Sequence, residues 1–190
     1  IGIAAMAKQR FAAALLIGLF GVTTTQAASV SFYLDQSNKL ADGVNYLQVT
    51  IADGLDGDID FTVTALQPLL DIAGDNFGIQ RFAFNIVGGT ATERRDITAL
   101  PTDWRARNDG RMAGFGRFDI TLNGRGKPDS RQDPLTFSIS GVSLDTILSY
   151  VDLSTGRSPE GFSFFSAHVA GLNFGNCEPV NTKSARSVST

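Results

Sequence analysis

The chain has 190 residues, with 16 Lys and Arg against 19 Asp and Glu, one His, one Cys and a formal net charge of −3. That balance does not favour nucleic acid or an anionic membrane surface as a partner. A single Cys excludes an internal disulfide, and one His with one Cys falls short of the three or four ligands a zinc site draws together.

The first element in chain order is not expected to belong to a fold. From Met6 the chain reads "MAKQRFAAALLIGLFGVTTTQAASVSF", in which Lys8 and Arg10 precede a short apolar run from Phe11 to Val22. Thr25-Gln26-Ala27 then places small residues at the −3 and −1 positions of a cleavage site. This is the layout of a secretory signal peptide over residues 1–27. The run is too short for the ~20 residues of a bilayer-spanning helix. Ile1 is not an initiator, so Met6 is the expected start. Removal of the leader takes Lys8 and Arg10 with it and moves the formal charge from −3 to about −5.

Beyond the leader, apolar residues recur with period two. The segments "SVSFYL", "YLQVTI", "DIDFTVTA", "RFAFNI", "RFDITL" and "LTFSIS" each place one set of side chains on a dry face and the other on a wet one. Turn chemistry separates them at Asp42-Gly43, Asp53-Gly54, Gly88-Gly89, Asp109-Gly110, Asn123-Gly124 and Thr155-Gly156. One segment departs from this rule. In "SLDTILSYV" the residues Leu144, Ile147, Leu148 and Val151 follow helical spacing, with Ser143 placed to cap, so a short helix is expected over 143–151. The fold expected is all-β, an antiparallel β-sandwich of the jelly-roll or Greek-key kind over residues 28–176. A disordered tail is expected over 177–190, where apolar periodicity stops.

The acidic stretch "IADGLDGDIDF" starts like a calcium loop, since Asp56, Asp58 and Asp60 have D-x-D-x-D spacing. An EF-hand then requires Gly at position six and Glu at twelve, where this chain has Phe61 and Gln67. A hairpin explains more residues, with a strand over 46–51, a turn at 53–57 and a returning strand over 58–65. Asp58 and Asp60 would then face solvent and discourage edge pairing. A calcium site of another kind, with Asp53 and Asp56 as oxygen ligands, is the alternative; no other cofactor is indicated.

Catalytic patterns are absent from the sequence. No G-x-S-x-G, S-x-x-K, G-x-x-x-x-G-K or G-x-G-x-x-G occurs. His168, in "GFSFFSAHVAG", would have to serve any Ser/His/Asp set or pair with Cys177. A satisfied or surface histidine is the plainer reading. Paired carboxylates for glycoside hydrolysis are defined in space rather than in sequence, and most acids here stand beside Gly in turns.

Charge is unevenly distributed. Residues 28–80 hold eight Asp and only Lys39, whereas 81–131 hold nine Arg and Lys127 against six acids. The second region is therefore near +4 and the first near −7. Attraction between copies, or a basic face for an acidic polysaccharide, would use this asymmetry; strand faces paired across one sheet would consume it at about 0–1 kcal/mol per pair. Trp104, in "TDWRAR", with Arg105 and Arg107 beside it, forms the candidate carbohydrate-binding set, its ring serving either as a stacking platform or as a core plug.

The phrases "NYLQVTIADG", "IDFTVTALQPLLDIAGDNFGIQRFAFN", "GFGRFDITLNGRG", "DPLTFSISG" and "GFSFFSAHVAG" together resemble exported bacterial proteins of the PEP-CTERM sorting class over most of residues 28–175. The resemblance implies export by a Gram-negative, exopolysaccharide-producing and biofilm-forming bacterium. The C-terminal Pro-Glu-Pro signal, transmembrane helix and basic end of that class are replaced here by "CEPVNTKSARSVST", so a membrane anchor is not implied. The expectation is a secreted, non-enzymatic protein of the extracellular matrix or cell surface whose partners are extracellular polysaccharide or other matrix proteins. A carbohydrate-binding module is the alternative, and a glycan hydrolase the reading with least behind it.

Overall fold

The structure, a computed structural model, describes residues 27–174. The expected leader up to Gln26, the tail over 177–190 and Cys177 lie outside the described residues.

Among the described residues nine strands form two antiparallel sheets. The first sheet has the order β1 (Ser29–Leu34), β2 (Leu47–Asp53), β3 (Ile59–Ala65), β8 (Leu135–Ile139) and β5 (Ile97–Thr98). The second has the order β6 (Arg105–Met112), β7 (Gly116–Asn123), β4 (Ala73–Phe84) and β9 (Phe165–Leu172). The chain runs β1, β2 and β3 as a meander and then crosses to the second sheet through α1 (Gln67–Leu70), which has Pro68 in its first turn. It returns for β5, crosses back for the β6–β7 hairpin, returns again for β8 and ends in β9.

Alternation along the strands builds the core. Val49 and Ile51 of β2, Phe61 and Val63 of β3 and Phe137 of β8 point inward from one sheet, and Phe82 and Phe84 of β4, Ile120 and Leu122 of β7 and Phe165 of β9 from the other. The rings interlock across the gap: Phe61 stacks on Phe137 at 4.7 Å and reaches Phe84 at 5.3 Å. Fully burying one such side chain contributes about 1.5–3 kcal/mol. Tyr150 joins the same cluster edge-on and keeps its hydroxyl satisfied by donating to Asp145, with Thr92 Oγ1 at 3.1 Å. Burial and the bond to Asp145 push its phenol above the usual tyrosine range.

The expected helix over 143–151 is a correction. Only Ile147–Tyr150 is helical, as a 3-10 turn, and Thr146 rather than Ser143 stands at its N-cap. Leu144 has φ 63 and is 99% exposed, and Leu148 is 65% exposed. The helical spacing was incidental, because only Ile147 of those four side chains is buried. Asp109-Gly110 is a second correction. It is not a turn but lies inside β6, and the β6–β7 reversal falls at residues 113–115.

Beyond Asp109, which has φ 57, the hairpin bends over the outer face of its own sheet. Met112 and Phe118 close on Ala83 there, and Gly110 lies so near Thr121 that a Cβ would collide with that side chain. Backbone pairing of Arg117 with Thr155, and the Glu160 N–H donated to Gly114, fasten the bent tip.

Candidate functional site

The turn between β2 and β3 is the predicted hairpin, with Leu55–Gly57 as a short 3-10 turn. Its acids are spread among separate tasks. Asp53 accepts the Ala28 N–H at 3.2 Å, Asp58 accepts the Ser140 hydroxyl at 2.8 Å and Asp60 accepts the Ser138 hydroxyl at 2.6 Å. The Asp60 carboxylate fills the space a Cβ would occupy at Gly54. Asp56 is exposed in the turn with φ 56. Among the described residues no group of three or more His, Cys, Asp or Glu side chains is placed to hold a metal, so Asp53 and Asp56 stand without a third such ligand.

Trp104 is the core plug and not the platform. It is 6% exposed, and its indole N–H donates to the Ser130 carbonyl at 2.6 Å. Satisfying that N–H on the backbone anchors the ring inward, so neither face is open for a sugar to stack on. Arg105 and Arg107, which follow it on β6, are exposed. Strand alternation therefore separates the three residues of the sequence-level set.

Pairing in the second sheet gives Arg105 and Arg107 new neighbours. Arg105 faces Asn123 of β7, Asn123 faces Arg81 of β4 and Arg81 faces His168 of β9. On the next rung Arg107, Thr121, Ala83 and Ser166 follow one another across the same four strands. Residues directly opposite on neighbouring strands share a face, so three arginines and the histidine gather on the outer surface of one sheet. The ion pairs among the described residues lie elsewhere: Arg95 with Glu93 and Asp96, Arg117 with Asp109, and Arg125 with Asp103.

Arg81 occupies the centre of this surface. It is partly buried, and its Nε is enclosed without a hydrogen-bond partner. Burial, and then repulsion from the Arg107 guanidinium, push it below the usual arginine range. Acids close to Arg105 and Arg107 are engaged: Asp103 pairs with Arg125, Asp109 pairs with Arg117, and Asp119 on β7 accepts the Ile86 N–H at 3.0 Å.

Sequence reasoning missed Arg81 and His168 as neighbours of Arg105 and Arg107. The signal for Arg81 was available in "QRFAF", where alternation with Phe82 and Phe84 turns it outward. The pairing of β6, β7, β4 and β9 that brings the four together had no such signal.

A groove of about 510 Å³ lies on the opposite flank, between the edge strands β1 and β9. Leu34, Leu40, Leu47 and Leu69 contribute to its lining, and β9 contributes along its whole length. His168 is exposed at this edge. Comparison with protein-family models, with curated proteins and with solved structures finds no match.

Proposed function

We propose that the chain is an exported, non-enzymatic β-sandwich protein of the extracellular matrix or cell surface that works by binding polysaccharide or other matrix proteins. The leader pattern of residues 1–27 and the resemblance to exported PEP-CTERM-class proteins support the location. No helix among the described residues is long and apolar enough to cross a membrane.

The observation that carries binding over turnover is the contrast between acids and arginines. Acids that hydrolytic chemistry would draw on are engaged in holding the sheets: Asp53, Asp119 and Asp133 accept backbone N–H groups, and Asp58 and Asp60 accept serine hydroxyls. Arg81, Arg105 and Arg107 instead stand together with no carboxylate paired to them among the described residues. Exposed Arg105 and Arg107 favour the carbohydrate-binding module as the form this function takes, with Trp104 serving the scaffold.

The test is incubation of the purified protein with bacterial exopolysaccharide, measuring both co-sedimentation and new reducing ends. Co-sedimentation with a flat reducing-end count is expected. Release of reducing ends, abolished by one Asp→Asn change, would overturn the proposal.

A further inference from the structure

We propose that the outer face of the four-stranded sheet is a binding site for an acidic polysaccharide, whose carboxylate or sulfate groups are gripped by Arg81, Arg105 and Arg107. This rests on the binding function above and names its ligand class and its residues.

The geometry selects a negatively charged, extended and narrow ligand. Arg105 and Arg107 are two residues apart on β6, and Arg81 lies two strands away on the same rung as Arg105. From β6 to β9 the face spans three inter-strand steps, or ~14 Å. A linear polymer laid across the strands would meet Arg105 or Arg107 first, then Arg81, and then His168. Asn123, between Arg105 and Arg81 on one rung, offers a neutral hydrogen-bonding group to sugar hydroxyls.

The electrostatics select the same ligand. Arg81 and Arg107, close enough for one to depress the other and in no ion pair among the described residues, repel in the free protein. An anion placed between them removes that repulsion and gives each fork a planar acceptor, the geometry in which Arg outperforms Lys.

The rest of the surface argues for a polysaccharide over a nucleic acid. The chain as a whole is acidic, and the basic face is bounded by Asp103, Asp109 and Asp119. A duplex with its dense charge would be repelled wherever it extended beyond these arginines, whereas a polymer carrying one acid per sugar could lie within them.

The decisive experiment measures binding of the purified protein to a polyuronate, a neutral dextran and duplex DNA at low and at raised salt. Preference for the polyuronate, weakening as salt rises, is expected. The double variant Arg105→Glu/Arg107→Glu should lose roughly ten- to a hundredfold in affinity. The control Lys39→Glu reverses an exposed charge in the loop after β1 and should lose little. Both variants should melt like the parent, because all three side chains are exposed; Arg105→Gln/Arg107→Gln gives the same reading if the reversal unsettles β6.

Dextran bound as well as the polyuronate would overturn this assignment while leaving polysaccharide binding in place. Retention on no polysaccharide would overturn both. Preference for DNA would overturn it too, as would self-association at low salt that the double variant abolishes, which would give the face to a second copy.

Discussion

The outer faces of the two sheets use their polar side chains in opposite ways. On the five-stranded sheet, Ser31, Thr50, Thr62 and Thr136 form one continuous rung across β1, β2, β3 and β8. Short hydroxyls there bond to one another: Ser31 and Thr50 are 3.0 Å apart, Gln48 donates to Ser31 at 3.0 Å, and Thr98 and Ser140 are 2.8 Å apart. On the four-stranded sheet, Arg81, Arg105 and Arg107 have no ion-pair partner among the described residues. Polar groups that saturate each other stabilise a sheet, while groups left unsaturated on a rigid sheet are available to something else. The contrast separates a scaffold face from a binding face more sharply than exposure does, since both faces meet water.

The strongest way to break the contrast is to separate the sheets themselves. Phe61→Ala removes the ring that touches both, and a loss of about 3–5 kcal/mol is expected by urea melt. Both faces should fail in one transition, because they share one core. Trp104→Phe comes next: it leaves the Ser130 carbonyl without the indole N–H, at a cost of about 1–3 kcal/mol. Polyuronate affinity of the folded protein should be unchanged. A large selective loss of affinity would return Trp104 to the binding set.

Tyr150 sharpens the comparison from inside. Its folded pKa lies above the usual 10.0, so the neutral phenol is held more tightly by the folded protein than by the unfolded chain. That contribution is complete below pH 10.0 and is lost as pH rises toward the raised folded value. Alkaline melts should therefore fall more steeply for the parent than for Tyr150→Phe, whose cost at neutral pH is about 1–3 kcal/mol. Thr62→Ala on the hydroxyl face is the smallest change. It should stay within about 0.5 kcal/mol and leave polyuronate binding untouched.

The strands with clean alternation were legible in the sequence, because an inward Phe or Ile at every second position is what a half-buried sheet requires. β6 was not. "RARNDGRM" is an edge strand that buries Met112 at its far end and keeps Arg105, Arg107 and Arg111 outward, so it lacks an apolar rhythm, and Asp109-Gly110 imitates a turn. The site was half legible for the same reason. Arg105 and Arg107 could be singled out by local charge, but their meeting with Arg81 depends on β4 and β6 both pairing with β7, and Arg81 lies 42 residues from its β7 partner Asn123. Local sequence carries no record of that pairing. The 143–151 segment shows the opposite error, in which a rhythm was present but Leu144 and Leu148 faced water.

The four strand rims differ in how they discourage joining. β6 is studded with charge and β5 is only two residues long, whereas β1 and β9 carry no Lys, Arg, Asp, Glu or Pro within their spans. The two unguarded rims share a flank, where Phe32 meets Phe165 at 5.2 Å. Two molecules brought together sideways would therefore find one hospitable flank each. Edge-on joining through it would couple molecules in pairs, so crowding would act on this flank before it acts on the charged rim of β6.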